Sequence, residues 1–292
     1  MEGTIVKTLS GFYYVSCGSE VYECRARGKF RLDGTSPLVG DKVSFAVLPN
    51  GKGYVERVHE RKNFFIRPAV ANIDALVFVA ANTNPVTDPF LIDRVSVIAE
   101  ESDCELIVCI NKTDIDSADE LYGIYTSAGF TTVRTSASTG AGIDELVSVL
   151  HGKLCAFTGN SGVGKSSILN AIVPGLELRV AEVSEKLGRG KHTTRHVELF
   201  CIDESTYIAD TPGFASFELE MMKVIDKSAL QHDFREFGDF IGSCRFADCA
   251  HLKEPGCAVT QALADGHIMP SRYRSYERLY ELAAQNKFWE TK

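Results

Sequence analysis

The sequence predicts three consecutive modules: a small all-β barrel, an α/β domain on a mostly parallel sheet, and a mainly helical C-terminal segment. Three observations carry this. Five short β-branched or aromatic runs crowd the N-terminal part, with turn residues between them. From Ile73 to Ala209, strand-like apolar runs alternate with helical patterns, as in a sheet covered on both faces. After Phe217 the texture changes to helical segments around a knot of cysteines and one histidine. The boundaries fall at residues 1–63, 64–216 and 217–292.

Thr4–Leu9, Phe12–Ser16, Val21–Arg27, Lys42–Val47 and Gly53–Val58 read as the five strands of the first module. Ser10-Gly11, Gly18-Ser19, Asp33-Gly34, Gly40-Asp41 and Asn50-Gly51 punctuate them. That spacing suits a barrel of the oligonucleotide/oligosaccharide-binding (OB) kind. The run Arg25-Ala26-Arg27-Gly28-Lys29-Phe30-Arg31 reads equally as an RNA-facing edge or as a solvated basic strand that resists aggregation.

The basic stretch from Arg61 to Pro68 reads as a linker. Ile73–Ala80 is a continuous apolar strand, and Thr87-Asp88-Pro89 caps a helix running to about Glu101. Glu105–Ile110 and Thr132–Thr135 are strands; Ser117–Ala128 and Ile143–Leu150 are helices. Leu154–Thr158 is a strand that enters a Gly-rich loop and then the helix Lys165–Ile172. Val197–Ile202 and Thr206–Ala209 form a strand pair, and a terminal helix begins near Ser271.

Composition narrows the class. The chain has 292 residues, of which 45% are hydrophobic and 24% charged, which excludes a disordered or fibrous protein. Its longest apolar run, Ala75–Ala81, is far short of the ~20 residues a membrane helix needs. The start, Met1–Lys7, lacks the pattern of a secretory signal, so a cytoplasmic protein with no membrane partner is expected. Net charge is +4 over residues 1–67, −10 over 68–216 and −2 over 217–292. An acidic whole argues against non-specific nucleic-acid binding, yet a basic first module is compatible with local RNA contact. Cys17, Cys24, Cys104, Cys109, Cys155 and Cys201 sit in strand-like stretches and read as small buried hydrophobes in a reducing compartment.

Gly159-Asn160-Ser161-Gly162-Val163-Gly164-Lys165-Ser166, followed by Ser167, is a phosphate loop with the required strand before and helix after. Glycines let backbone N–H groups approach the phosphates, Lys165 supplies a point charge, and the Ser166 hydroxyl ligates Mg²⁺. Asn111-Lys112-Thr113-Asp114 ends a strand. Its aspartate can accept both N1–H and N2–H of guanine, a donor pair that adenine lacks. Asn111 braces the loop and Lys112 lies over the ring. Ser136-Ala137 is the usual companion, presenting a backbone N–H to guanine O6. Asp210-Thr211-Pro212-Gly213 fits a loop sensing Mg²⁺ and the γ-phosphate. These motifs select a guanine nucleotide with Mg²⁺. Their order is shifted: the guanine motifs precede the phosphate loop, so the domain is circularly permuted. Closely spaced termini make that tolerable.

Cys244, Cys249, His251 and Cys257 lie within fourteen positions. Three thiols and an imidazole suit a closed tetrahedral Zn²⁺ site, with reduced cysteines in a small core as the alternative. Tyr273, Tyr276, Tyr280 and Ala283 recur at helical spacing, with Arg274 and Arg278 beside them. That helix either packs on the module before it or stacks on RNA.

With Gly188–Arg195 and Asp210–Phe214 added, the whole chain resembles the ribosome small subunit-dependent GTPase A family. The resemblance implies an α/β P-loop GTPase domain, circularly permuted, between an OB-like RNA-binding barrel and a C-terminal helical zinc-binding domain. It also implies a bacterial cytoplasmic enzyme that hydrolyses GTP to GDP and phosphate and acts late in 30S subunit maturation. Its partners would be the 30S subunit and 16S rRNA, with subunit-stimulated turnover by a monomer. By the same resemblance Cys244, Cys249, His251 and Cys257 hold one zinc, and Thr193 or Thr194 is the switch threonine. Phe214 stands where such enzymes often carry a water-orienting glutamine, which Phe cannot replace. His192, just before the switch threonines, is the candidate for that role; contact with rRNA or solvent is its other reading.

Overall fold

The computed structural model describes residues 1–26, 30, 36–49, 51–66, 69–173, 197–210 and 227–285. Five strands make the N-terminal module: β1 (Glu2–Leu9), β2 (Phe12–Cys17), β3 (Glu20–Ala26), β4 (Lys42–Val47) and β5 (Gly53–Val58). β1, β2 and β3 form an antiparallel meander, β3 runs parallel to β5, and β4 closes the ring by pairing with both β5 and β1. This is the closed five-stranded topology of an OB barrel. Ile5, Val15, Cys24, Val43, Phe45 and Val55 fill its interior. Phe30 joins that same core, so the aromatic of the basic run is withdrawn from solvent rather than offered to a base. Arg27, Lys29 and Arg31 lie outside the described residues.

The expected linker is a docked junction. Arg61 forms a bidentate pair with the fully buried carboxylate of Asp41, Nε to Oδ1 at 2.7 Å and Nη2 to Oδ2 at 2.8 Å. The Asn63 amide donates to the carbonyls of Ile73 and Ser102 and accepts from Ile73 N–H. Phe64–Ile66 (β6) and Ala69–Ala71 (β7) then pair as a two-stranded ribbon.

The α/β domain follows as β8 (Ala75–Ala81), α1 (Pro89–Glu101), β9 (Glu105–Asn111), α2 (Asp119–Ser127), β10 (Thr131–Arg134), α3 (Ile143–Leu150), β11 (Leu154–Thr158), α4 (Lys165–Ile172), β12 (Glu198–Cys201) and β13 (Tyr207–Asp210). The strands lie in the order β10-β9-β8-β11-β13-β12, all parallel except the edge strand β12. Alternation along β8 divides the core. Leu76, Phe78 and Ala80 face the layer of α1 and α2, while Val77 and Val79 face that of α3 and α4. Asp88 caps α1 by accepting from Phe90 N–H, and Pro89 occupies the first turn, as the sequence predicts. At its outer edge β12 meets barrel strand β1, with Lys7 opposite Glu198 and their side chains paired at 2.9 Å. One hydrogen-bonded sheet therefore runs from the α/β domain into the barrel.

The C-terminal segment has 3₁₀ turns at Leu230–His232 and Arg235–Phe237, then α5 (Ala258–Ala264) and α6 (Pro270–Gln285). Its core includes Leu230, Phe234, Phe237, Val259, Tyr273, Tyr276 and Leu279, and it takes in Phe90 and Val97 of α1. The helix reading of Tyr273, Tyr276 and Ala283 resolves in favour of packing: all three are buried.

Among the six scattered cysteines, Cys24, Cys104, Cys109 and Cys155 are buried, whereas Cys17 is half-buried and Cys201 exposed. Burial pushes the thiols of Cys104, Cys109 and Cys155 up to about 12, so they stay protonated and inert. Among the described residues no helix is long and apolar enough to cross a membrane.

Candidate nucleotide site and metal centre

The motif loops collect at one end of the sheet. β9 ends at Asn111, β10 leads into Ser136-Ala137, β11 enters the phosphate loop, and β13 ends at Asp210. All are C-terminal ends of parallel strands, where α/β sheets bind ligands. The phosphate-loop strand β11 is central, flanked by β8 and β13.

The loop backbone explains its glycines. Gly159 has φ 127°, and a Cβ there would come within 2.2 Å of the Val79 carbonyl oxygen. Gly164 has φ 99° and caps α4; a Cβ there would strike the Asn111 amide at 2.2 Å. Both the conformation and the closeness demand glycine. Lys165 Nζ donates to Asn160 O at 2.7 Å and to Gly159 O, which folds the ammonium over the loop. Asn160, Ser161, Gly162, Val163, Ser166 and Ser167 complete the loop and the first turn of α4.

Asn111 joins the loops. Its buried amide donates to Val163 O at 2.9 Å and accepts from Ala137 N–H at 3.1 Å. Lys112 Nζ donates to Gly162 O at 2.8 Å and also to Asn84 O, which brings in the loop after β8. Thr113 Oγ1 donates to Thr135 O at 2.9 Å. The Asp114 carboxylate accepts from Ser136 Oγ at 2.6 Å and Ser138 Oγ at 3.0 Å. Those hydroxyls, Ser136 first, hold its carboxyl below the usual range, so it is ionised. The expected guanine residues and phosphate loop are thus brought together by direct bonds.

The switch residues are reached only in part. Asp210 stands opposite Glu198 on the β12–β13 pair, at the strand end beside β11. His192, Thr193, Thr194, Gly213 and Phe214 lie outside the described residues.

A second cluster forms in the C-terminal segment. One ligand atom from each of Cys244, Cys249, His251 and Cys257 lies within 4.8 Å of the others. His251 Nδ1 is 3.5 Å from Cys244 Sγ and 3.4 Å from Cys257 Sγ, and those sulfurs are 4.0 Å apart. A tetrahedral zinc with ordinary Zn–S and Zn–N bonds has edges of about 3.5–3.8 Å, so the donors fit such an ion. Backbone N–H groups serve the sulfurs: Ala258 N–H lies 3.3 Å from Cys244 Sγ and Thr260 N–H 3.5 Å from Cys257 Sγ. Burial lowers the pKa of His251, which favours the neutral ligand form.

Residues 58–220 match the RsgA GTPase family, and residues 2–55 match the RsgA N-terminal domain. A small ribosomal subunit biogenesis GTPase RsgA from Caldanaerobacter subterraneus subsp. tengcongensis is 45% identical over 279 residues, covering 94% of this chain and 93% of that protein. The protein of that name from Alkaliphilus metalliredigens is 40% identical, covering 98% and 99%.

The chain belongs to the RsgA GTPase family.

Solved structures agree. YjeQ from Thermotoga maritima superposes with a TM-score of 0.86 at 38% identity, covering 98% of this chain and 99% of that one. YloQ, described as a circularly permuted GTPase, gives 0.82 at 36% identity, covering 98% and 96%. As an RsgA GTPase the chain is a GTP hydrolase with a permuted P-loop domain. Ser138 and Asn84 at the nucleotide site, and Glu254 beside the cysteine–histidine cluster, are among the participants that escape sequence reasoning. Ser138 could be read from its place two residues past Ser136 on a polar loop. Asn84 contributes only a carbonyl, and Glu254 only a cap on the N–H groups of Ala250, Leu252 and Lys253. Neither role leaves a pattern in the chain.

Proposed function

We propose that this RsgA GTPase acts on the small ribosomal subunit late in its maturation, binding 16S rRNA and hydrolysing GTP at a rate the 30S particle stimulates. The observation that carries the nucleotide half is Asn111, whose amide couples the guanine loop to the phosphate loop and the Ser136-Ala137 loop. In this reading Asp114 takes the guanine edge and Ala137 N–H is shared with O6. Gly159 through Ser167 cradle the phosphates, and Lys165 turns from the loop carbonyls to the β/γ oxygens. Ser166, with Asp210, Gly213 and Thr193 or Thr194, surrounds Mg²⁺ and the γ-phosphate, where the ion neutralises developing charge.

The ribosomal half is supported by the names of the relatives and by the OB barrel, a fold that lends itself to nucleic acid. Cys244, Cys249, His251 and Cys257 hold a structural zinc in the same reading, and the chain works in the cytoplasm as a monomer. GTP turnover measured with and without purified 30S subunits, with 50S subunits as control, tests the function. Stimulation by 30S alone is expected; equal rates in all three would overturn it.

His192 is assigned to orienting the attacking water, because Phe214 cannot. His192→Ala should then lose tenfold or more of the stimulated turnover, roughly 1.4 kcal/mol in the barrier, with GTP and subunit affinities nearly unchanged. Loss of subunit binding in proportion to turnover would make His192 a contact and leave the catalytic group to the ribosome.

A further inference from the structure

Gln231 stands outside the cysteine–histidine knot in sequence, twenty positions before His251, yet its side chain reaches the far nitrogen of that imidazole. Gln231 Oε1 lies 2.7 Å from His251 Nε2. We propose that Gln231 is the positioning residue of the metal centre: it accepts the Nε2–H of His251 and thereby leaves Nδ1 unprotonated for the ion. The proposal rests on the zinc reading of Cys244, Cys249, His251 and Cys257.

A neutral imidazole carries one N–H. His251 Nδ1 faces two sulfurs at 3.4 and 3.5 Å, and Nε2 faces an amide oxygen. Placing the proton on Nδ1 would set two lone pairs against each other across 2.7 Å and aim an N–H at the ligand cluster. Placing it on Nε2 satisfies both sides. The amide is held the right way round, because Gln231 Nε2 points at Ser228 O at 3.4 Å. A flipped amide would turn oxygen toward that carbonyl and N–H toward the imidazole.

The surroundings fix both partners. Gln231 belongs to the Leu230–His232 turn, whose Leu230 is fully buried in the C-terminal core. His251 is 2% exposed, and Phe237 packs edge-on against its ring at 6.3 Å and 80°. Its backbone is left-handed, with φ 58°, and Tyr273 Oη donates to its carbonyl at 2.7 Å. The imidazole has no freedom to exchange its nitrogens by turning over. A hydrogen-bond acceptor behind a metal-ligating histidine raises ligand basicity and orients the ring, and losing one costs roughly 10–100-fold in metal affinity.

The test uses full-length protein loaded with Zn²⁺ or Co²⁺. Gln231→Met removes the acceptor at similar volume, and Gln231→Glu keeps an acceptor and adds charge. Competition with a chromophoric chelator should show roughly 10–100-fold weaker zinc binding for Gln231→Met and wild-type or tighter binding for Gln231→Glu. The Co²⁺ d–d bands should move in Gln231→Met alone. Nitrogen NMR of histidine-labelled wild-type zinc protein reads the tautomer without any mutation, and it should find Nε2 protonated and Nδ1 metal-bound. The opposite tautomer, or wild-type affinity and spectrum in Gln231→Met, would overturn the proposal. Wild-type protein that takes up neither metal would instead remove the zinc reading beneath it.

Discussion

At the level of single residues, two carboxylates have opposite settings, one held below its ordinary pKa and one raised above it. Asp114 sits between two serine hydroxyls that favour its charged form. An amide in its place could not accept both guanine N–H groups. Asp114→Asn should weaken GTP binding by roughly two orders of magnitude and shift preference toward xanthine nucleotides, as read by calorimetry. Unchanged GTP affinity would remove Asp114 from base recognition. Asp233 is buried, with Oδ2 lacking a hydrogen-bond partner. Burial, then Glu101 and Glu100, raises its carboxyl to about 7. The unfolded chain releases that proton near pH 4. Between about pH 4 and 7 the folded state holds the proton that the unfolded state has lost, so stability falls as pH rises through this window. The contribution is whole below about 4 and gone above about 7. Asp233→Asn cannot titrate, so its stability relative to wild type should grow from pH 4 to 7 and then level off. Urea midpoints across that range would show it; parallel pH profiles would refute it.

The element that ties the modules is α1. Its Ile92, Val95 and Ile98 face the sheet, while Phe90 and Val97 belong to the C-terminal core. Between these faces lies Asp93, fully buried, which receives Arg272 Nη1 of α6 at 2.8 Å and Tyr125 Oη of α2 at 2.8 Å. Arg272, also fully buried, reaches Glu236 through Nε at 2.7 Å. Arg272→Met would strand two buried carboxylates, at a cost of about 3–5 kcal/mol in urea unfolding. Neutralising both acids in the same protein should recover much of it. The contrast with the nucleotide site shows what sequence can reveal. The phosphate loop and the Asn111–Asp114 run are legible because each is a local pattern with its strand or helix attached. Arg272 and Asp93 are 179 positions apart, and an arginine beside Tyr273 on a polar-looking helix reads as surface. The ribbon of β6 and β7 was hidden by its shortness and by the basic residues around it. The cluster of Cys244, Cys249, His251 and Cys257 was legible from its spacing; Gln231 was not, since the fold alone brings it near.

Across the molecule, three cores are fused rather than strung together. The barrel interior and the α1–α2 layer form one apolar cluster, and the C-terminal core borrows residues from α1. Purified protein should carry about one zinc, and stripping it with a strong chelator should therefore lower the melting temperature of the α/β domain as well as that of the C-terminal segment. Loss confined to helical signal from residues 227–285, with nucleotide-dependent stabilisation untouched, would show the cores to be separable. The strand arrangement also bears on how the chain is made. Of the α/β sheet, strands β8, β9 and β10 leave the ribosome first and can pair at once, with the loops proposed to read the base already at their ends. The free side of β8 then stays a bare apolar edge until β11 arrives, because the central strand of the sheet is the fourth of its strands to be synthesised. On the roles proposed above, a nascent chain thus possesses the half of the pocket assigned to the base before it owns any group assigned to a phosphate. On the same assignment the phosphate grip waits for Ser166, so a triphosphate meets a complete site only on a chain whose five barrel strands have already been made.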